Sequence, residues 1–321
     1  MGRRGSRRHG RPVDGILLLD KAMGPSSNQA LQQVKRIFKA AKAGHTGNLD
    51  PMASGLLPIC LGQATKVSQY LLDSDKRYLA EFTFGAVTTT GDAEGEIIER
   101  RPTDDLCEQQ LTDAMAQFVG EIEQVPPMYS ALKHKGQPLY KLAQQGIEVE
   151  RDRRRITIFD FRLLGFGEAT ATVDIACSKG TYVRTLAEDL GRELGCGAFV
   201  SGLRRVKSGP FEIGDALTIQ QLEALADKGD LAAVDGRLLG IDSALMHLPR
   251  YVLTADSERS LIHGQTVRCA QVGFHGDVRL YDCMGSFVGI GDARADGHIG
   301  PRRLMRQQLH EQGMQTPIKI A

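Results

Sequence analysis

The sequence predicts an α+β fold, with a mixed, largely antiparallel sheet in a main domain and a small, mostly β domain after it. Strand patterns outnumber helix patterns and the two do not alternate strictly, which is typical of α+β proteins. A segment at 126–155, rich in Pro, Gly, basic residues and tyrosine, breaks the pattern and is predicted to be an exposed insertion. From Arg250 onward, short strands and turns recur.

The first elements follow from local composition. Residues 1–13 are basic and glycine-rich and are predicted to form a disordered tail. The apolar run GILLLDK at 15–21 is bounded by turn residues, which predicts a buried strand. An amphipathic helix follows, capped by Ser26 or Ser27 and expected to end near residues 43–44.

A glycine-rich and proline-containing segment comes next, at 44–62. Its first half is predicted to be a structured loop, and LLPICL at 56–61 is a buried strand or a tight connection. Residues 64–72 have a helical pattern. Residues 77–83 alternate as a strand, and residues 95–99 are predicted to be its partner.

The second half of the main domain continues in the same way. Strands are predicted at 156–161 and 169–178, and the second runs into a helix with leucines four residues apart. A linker with one short helix is expected at 227–248. The predicted division is therefore a main domain at 14–248 and a small, mostly β domain at 249–321.

Positive charge is local rather than global. The formal net charge of the 321-residue chain is +1, so the strongly basic composition of many nucleic-acid-binding domains is lacking. Each basic run alone fits a solvated face or a tail, but several runs in one near-neutral chain favour a shared polyanionic partner. The runs lie at the N-terminus and at 133–135, 151–155, 204–207 and 302–306.

Several other classes of protein are disfavoured. The six cysteines form no CxxC pair, which favours reduced thiols, and Cys60 lies in an apolar run and is predicted to be core. No stretch resembles a signal peptide or a membrane span, so a soluble, cytoplasmic protein is expected. GxGxxG, P-loop, GxSxG and HExxH motifs are missing, and the histidines lack metal-ligand spacing.

Asp50 is the first candidate for chemistry. It ends the sequence Gly-His-Thr-Gly-Asn-Leu-Asp and precedes Pro51. Asp before Pro is commonly a plain turn residue. Two glycines, a histidine and a threonine within the six preceding residues are, however, typical of loops that bring the backbone close to a ligand. The residues alone leave both possibilities open.

Five stretches, in order, resemble one known family. GHTGNLDPMASGLLPICLGQATK, which begins at Gly44, strongly resembles the signature of the TruB family of bacterial tRNA pseudouridine-55 synthases. The other stretches are similar to the family's N-terminal, Arg-Tyr, Lys-Gly-Thr-Tyr-x-Arg and Leu-Arg-Arg motifs, and lie at 15–27, 76–78, 177–191 and 199–205. The close resemblance covers residues 14–210.

The resemblance implies an isomerisation that moves the ribose from N1 to C5 of uracil. Nothing is added or oxidised, so no metal or redox cofactor is expected. It implies that Asp50 is the catalytic carboxylate and that Arg184 is its partner. A carboxylate can act as nucleophile or as base, and it must be ionised to do so. Burial would raise its pKa, and a nearby arginine would oppose that change.

The same resemblance assigns residues to the target base. Tyr78 would stack on the uracil and Tyr182 would be a second substrate contact. Leu203 and Lys21 would shape the wall of the pocket. His45 would fill the space that the base leaves when it is turned out of the tRNA, since imidazole is flat and can both stack and form hydrogen bonds.

The implied partner is tRNA, through the T-arm, with uridine 55 as the target. Residues 126–155 look like the family's RNA-gripping insertion, and residues 249–321 are similar to the small RNA-binding domain called PUA. Phosphate contacts from both parts would offset the cost of flipping the base. A monomer is expected, with no attachment to a membrane.

Two positions depart from the family's pattern. Ala22 stands where the family usually has Pro, directly after Lys21. Asn48 stands where the family usually has Thr or a small residue, two residues before Asp50. Neither departure removes a group that the reaction needs.

Two other functions remain as alternatives. One is the catalytic subunit of an RNA-guided particle, which shares the Asp loop but diverges from the PMASGLLP stretch that follows it here. The other is a non-catalytic RNA-binding or RNA-folding module. The intact set of Asp50, Tyr78 and Arg184 favours catalysis, although folding activity could accompany it.

Overall fold

Residues 10–227, 229–269 and 273–305 are described by the structure, a computed structural model. The chain divides after Gly240 into two units, whereas the sequence places the division at 248–249. Residues 1–9 of the predicted tail lie outside the described part. Its last residues pack against the first unit, because Arg11 pairs with Asp235 at 2.5 Å and Val13 is buried.

The strands of the first unit are β1 Gly15–Lys21, β2 Ala43–His45, β3 Ala53–Leu61, β4 Lys76–Phe84, β5 Ala86–Thr88, β6 Ile97–Arg100, β7 Gly120–Gln124, β8 Lys133–His134, β9 Gln137–Pro138, β10 Arg154–Phe166, β11 Thr170–Cys177, β12 Ala198–Ser208 and β13 Phe211–Glu212. Its α-helices are α1 Ser27–Ile37, α2 Ser68–Leu72, α3 Glu108–Ala116, α4 Leu139–Ala143, α5 Val183–Glu193, α6 Ile219–Ala226 and α7 Leu231–Asp235. The second unit contains β14 Arg250–Val252, α8 Ala255–Ile262, β15 Val267–Arg268, β16 Gly276–Tyr281, β17 Phe287–Ala293 and β18 His298–Leu304. Single 3₁₀ turns lie at Gly62–Lys66, Ile213–Asp215 and Ile241–Leu245.

One large sheet organises the first unit. Its strands run in the order β1-β3-β12-β4-β11-β10-β7, with β2 attached to β3 and β13 attached to β12. Every one of these pairs is antiparallel except β3 with β12, which is parallel. The predicted α+β class with a mixed, largely antiparallel sheet is confirmed.

Helix α1 begins where the sequence predicts and ends earlier. The Ser26 hydroxyl accepts from the Gln29 backbone N–H, and the Gln29 side chain accepts from the Ser26 N–H, which closes a capping box. Lys39 has a φ of +48°, a left-handed conformation that a helix does not continue through. The prediction of a helix to residues 43–44 was wrong, because residues 43–45 form β2 against β3.

Strand β4 forms as predicted, but its predicted partner was wrong. Both edges of β4 are occupied, by β11 on one side and β12 on the other. Strand β6, close to the predicted partner at 95–99, pairs with β5 instead. Alternation reveals that a strand exists, but its neighbours come from distant parts of the chain and leave no local signal.

The segment at 126–155 joins β7 to the first residues of β10, and its residues 126–153 lie outside the large sheet. It contains the β8–β9 hairpin and the short helix α4. Leu139 is buried, whereas Tyr140 and Ile147 are exposed. Most of the segment is exposed or half-buried, as the prediction of an exposed insertion requires.

The second unit has a five-stranded sheet in the order β14-β16-β17-β18-β15 and the helix α8. Leu253, Leu261, Val278, Leu280 and Ile299 form its buried core. The prediction of a small, mostly β region at the end of the described chain is confirmed.

The cysteines behave as ordinary core and surface residues. Cys60 is fully buried in β3, and burial raises the pKa of its thiol to about 12. All six cysteines are free. Cys60 is a core residue, as predicted from its apolar neighbours.

The parallel contact between β3 and β12 is unusually close at Gly55. This glycine has a φ of +101°. A Cβ atom at Gly55 would lie 2.3 Å from the carbonyl oxygen of Arg205 and 2.8 Å from its backbone nitrogen. Both the backbone conformation and the space therefore require glycine where the two strands meet.

We expect Gly55→Ala to lower the free energy of unfolding by roughly 3 kcal/mol or more, because a left-handed alanine and a backbone clash act together. Gly165→Ala is the matched control, since nothing lies within 4 Å of a Cβ at that position. Denaturant unfolding followed by circular dichroism measures both. Equal stability of the two variants would contradict the close approach.

Candidate active site

Asp50 lies in the loop between β2 and β3, and hydrogen bonds hold this loop on both sides. The buried Ser27 hydroxyl accepts from the Leu49 N–H at 2.7 Å and lies 2.9 Å from the Leu49 carbonyl oxygen, to which it donates. The Gly24 N–H donates to the Pro51 carbonyl at 2.9 Å. The residues on either side of Asp50 are thus tied to the start of α1 and to the turn before it.

Arg184, in the first turn of α5, is the partner of Asp50. Its Nη2 lies 2.9 Å from Asp50 Oδ2 and its Nη1 lies 3.5 Å from Asp92 Oδ2. Nη1 also donates to the Thr90 carbonyl at 3.0 Å and Nη2 to the Tyr129 carbonyl at 2.7 Å. The Arg184 side chain is 6% exposed, so this guanidinium is buried and held between two carboxylates.

The electrostatics of Asp50 follow from this position. Burial raises the pKa of Asp50, Arg184 opposes that rise, Asp92 adds to it and Lys21 opposes it. The side chain remains 38% exposed, so the carboxylate lies at an opening with protein atoms around most of it. A carboxylate with a raised pKa is a stronger base than an ordinary aspartate, and the charge of Arg184 limits that rise.

Five of the seven predicted site residues line one cleft with a volume of about 130 Å³. This is the space of about four water molecules, which suits a single small ring. The predicted residues that line it are Asp50, Tyr78, Tyr182, Arg184 and Leu203, and the others are Asn48, Leu49, Ser130, Ala131, Thr181 and Val183.

The two tyrosines come from different elements. Tyr78 lies in β4 and is 9% exposed, and its pKa is raised by burial, against the effect of Arg205. Tyr182 caps α5, and burial raises its pKa too. The buried amide of Gln124 holds the Tyr182 backbone, accepting from its N–H at 3.1 Å and donating to its carbonyl at 3.3 Å. Gln124 therefore fixes the start of the helix that carries Arg184.

His45 and Lys21 do not line the cleft. His45 is partly exposed at the end of β2, and its Nδ1 has no hydrogen-bond partner among the described residues. Burial and the charge of Arg205 lower the pKa of His45, which favours a neutral ring. Lys21 is 1% exposed and donates to the carbonyls of Ala53 at 2.7 Å and Ala22 at 2.9 Å. Burial lowers its pKa to about 8.

Lys21 thus supports the strand that follows the Asp50 loop. Ala22 contributes only its carbonyl to this contact, which Pro would also supply. Asn48, the second departure from the family pattern, is an exposed residue whose carbonyl accepts from Arg205 Nη1 at 3.3 Å. At both positions the observed contact is made by the backbone carbonyl, so it does not depend on the side chain that departs from the family pattern.

Two charged residues near the cleft, Arg205 and Asp92, were not predicted from the sequence. Arg205 lies in a basic run that alone fits a solvated face, but it is 1% exposed and donates to the Leu56 carbonyl at 2.7 Å. The period of two in a strand was the available signal, since Arg205 lies two residues after Leu203 in β12 and therefore on the same face. Asp92 was also missed, because an acidic residue in a turn carries no signal that separates it from solvent-facing neighbours.

The other basic runs are partly neutralised by ion pairs. Arg204 pairs with Asp20 at 2.7 Å and Lys207 with Glu212 at 3.1 Å. Arg302 pairs with Asp277 at 2.6 Å. The runs at 204–207 and 302–306 therefore present less free positive charge than their sequences indicate, and Arg306 lies outside the described residues.

Within 10–227, 229–269 and 273–305, no three His, Cys, Asp or Glu side chains are grouped as a metal site would need. No helix in the same ranges is both long enough and apolar enough to cross a membrane.

An ionisable carboxylate beside a buried arginine, in a cleft lined by two tyrosines, is an arrangement typical of an enzyme active site. Three family models match successive parts of the chain. The model described as TruB family pseudouridylate synthase (N terminal domain) matches residues 35–183. The models described as tRNA pseudouridylate synthase B C-terminal domain and as Pseudouridine synthase II TruB, C-terminal, match residues 184–246 and 249–305. The chain belongs to the TruB family of pseudouridylate synthases.

Individual relatives agree with this membership. The protein named tRNA pseudouridine synthase B in Chromohalobacter salexigens is 51% identical over 93% of this chain and 96% of its own length. The protein of the same name in Pseudomonas aeruginosa is 52% identical over 92% of this chain and 97% of its own length. A chain in the crystal structure of a Cbf5-Nop10-Gar1 complex is 27% identical, with a TM-score of 0.67 over 87% of this chain and 78% of that one. A chain in the structure of an H/ACA RNP bound to a substrate RNA shares the fold, with 22% identity and a TM-score of 0.69 over 95% of this chain and 92% of that one.

We expect Arg184→Met to raise the pKa of Asp50 further, because the variant loses the charge that opposes burial while Asp92 remains. At a pH near that pKa, a smaller fraction of Asp50 would be ionised. Carbon NMR of labelled aspartate measures the titration. The control is Arg192→Met, which removes an exposed arginine paired with Asp189 and should leave the pKa of Asp50 unchanged. A lower Asp50 pKa in Arg184→Met would refute the role given to Arg184.

Proposed function

We propose that this protein isomerises uridine 55 in the T-loop of tRNA to pseudouridine, with Asp50 as the catalytic carboxylate. The observation that carries the proposal is the 2.9 Å pair of Asp50 and Arg184, which lines one cleft together with Tyr78 and Tyr182, in a chain of this family. Its relatives at 51–52% identity carry the name tRNA pseudouridine synthase B.

The proposed reaction rearranges bonds within one nucleotide. The bond from ribose C1′ to N1 of uracil breaks and a bond from C1′ to C5 forms, while C5 loses a proton and N1 gains one. Atoms and electrons balance without an added reactant. Asp50 acts as nucleophile or base towards the sugar or the ring, and Arg184 keeps it ionised in the cleft.

Access to the base requires flipping, because a paired and stacked uridine presents neither C1′ nor C5 to Asp50. Turning the nucleotide out costs a few kcal/mol. Stacking on Tyr78 returns roughly 1–3 kcal/mol, and Tyr182 and Leu203 bound the same cleft. His45 is proposed to occupy the vacated space in the T-loop; its lowered pKa favours the neutral, stacking form of the ring.

Lys21 does not line the cleft but supports the strand that follows the Asp50 loop. Its ammonium fixes the carbonyl of Ala53, three residues after Asp50, and its charge opposes the rise in the Asp50 pKa. We assign to it the placing of the Asp50 loop.

The substrate is proposed to be tRNA itself rather than a target presented by a guide RNA. Identity of 51% to relatives named for tRNA, against 27% to the chain of the Cbf5 complex, supports this choice. The enzyme is proposed to act as a monomer in the cytoplasm. The T-arm would be gripped by the insertion at 126–155 and by the PUA-like second unit.

We expect Asp50→Asn to reduce pseudouridine formation by roughly 10²–10⁴-fold or more, because the amide can act neither as base nor as anionic nucleophile. Binding of unmodified tRNA should stay nearly unchanged. Single-turnover assays with mass-spectrometric detection measure the first quantity, and filter binding the second. Asp104→Asn, in an exposed turn, is the control. Near-wild-type turnover by Asp50→Asn would refute the catalytic assignment.

Removing residues 250–321 should weaken tRNA binding by about tenfold, since RNA affinity depends mainly on the number of phosphate contacts. The rate of isomerisation at saturating tRNA should change much less. Titrations and single-turnover rates on the same preparation separate the two effects. Unchanged affinity would remove the RNA-binding role from the second unit.

A further inference from the structure

Three consecutive arginines, at the junction of the insertion and β10, differ in their surroundings. Arg153 Nη1 lies 3.9 Å from Glu123 Oε2, and Arg155 Nη1 lies 3.5 Å from Glu121 Oε1. Arg154 is exposed and forms no ion pair within the described part of the chain. The middle arginine therefore carries a positive charge that no carboxylate of this part of the molecule neutralises.

Strand register places Arg154 beside the cleft. In the antiparallel pair of β10 with β7, Arg154 lies opposite Gln124, and Arg155 lies opposite Glu123. Directly opposed residues share one face of the sheet, with Cβ atoms about 4.5–5.5 Å apart. Gln124 is the residue whose amide holds the backbone of Tyr182. Arg154 therefore lies on the face that carries the Tyr182 wall, and Arg155 lies on the other face.

The electrostatics of Tyr182 agree with this placement. The positive charge of Arg154 lowers the pKa of Tyr182, against the larger effect of burial. A base bound in the cleft beside Tyr182 leaves its ribose and phosphates at the rim, since the cleft of about 130 Å³ has room for one small ring. An unpaired guanidinium at that rim meets an anion there and can bind it through two parallel N–H donors.

We propose that Arg154 binds a phosphate that flanks the target uridine and so holds the nucleotide while its base occupies the cleft. This inference rests on the proposed function, because it takes RNA as the substrate of the Asp50 cleft. It assigns a specific phosphate contact to one arginine of the basic run at 151–155. Arg153 and Arg155 each lie within 4 Å of a carboxylate, whereas Arg154, among the residues that the structure describes, does not. A single contact next to the flipped base adds affinity where the flipping cost arises.

The first test compares Arg154→Gln with Arg155→Gln, which removes the same charge one residue away on the opposite face. The probe is a synthetic, unmodified T-arm stem-loop. Arg154→Gln should weaken binding roughly tenfold at low salt and reduce the slope of log K against log salt by about 0.7–0.9. Arg155→Gln should change both quantities much less. Equal effects of the two variants would overturn the proposal.

The second test locates the phosphate. Neutral methylphosphonate linkages replace the phosphates around the target uridine one at a time. With wild-type protein, neutralising a flanking phosphate should weaken binding; with Arg154→Gln, the same replacement should have no further effect, while with Arg155→Gln it should act as in wild type. Additive effects at every linkage would refute the contact.

These binding measurements remain decisive for Arg154 even if the proposed reaction fails. Stem-loop binding by the wild type without pseudouridine formation would overturn the proposed function alone. Arg154→Gln should also reduce single-turnover isomerisation at subsaturating RNA more than at saturating RNA. An equal loss in both conditions would indicate damage to the cleft and contradict a phosphate-binding role.

Discussion

The site depends on one buried guanidinium that serves two carboxylates. Taking a cation out of water costs several kcal/mol unless charges and hydrogen bonds replace the water. Arg184 obtains these from Asp50, Asp92 and the carbonyls of Thr90 and Tyr129. Because its other partners fix the guanidinium, Asp50 meets a charge already in place. The charge of Arg184 thereby opposes the rise in the Asp50 pKa that burial causes.

The sheet explains how distant segments meet around that pair. The parallel contact of β3 with β12 places Leu203 beside the strand that follows the Asp50 loop, and β12 pairs with β4, which carries Tyr78. Gln124, at the end of β7, ties the start of α5 to the root of the insertion. The cleft residues and the segment at 126–155 are therefore connected through paired strands and through the hydrogen bonds of the Gln124 side-chain amide.

Much of the fold could be predicted, because periodicity and caps are local. The buried strand β1, the capped start of α1 and the alternation of β4 all follow from neighbouring residues. Strand partners could not, since β4 lies between strands more than 80 residues away in sequence. The chemical candidates came from ordered motifs, and the structure brings five of the seven into one cleft. Arg205 and Asp92 were missed because burial of a charged side chain depends on partners elsewhere in the chain.

The central claim is that this chain converts one particular uridine of tRNA. The most direct measurement incubates the purified full-length protein with a complete set of unmodified tRNA transcripts and maps every pseudouridine that forms. We expect a single modified position, uridine 55 in the T-loop, across transcripts with different anticodons. Modification at other positions instead, or binding with no pseudouridine in any transcript, would contradict it.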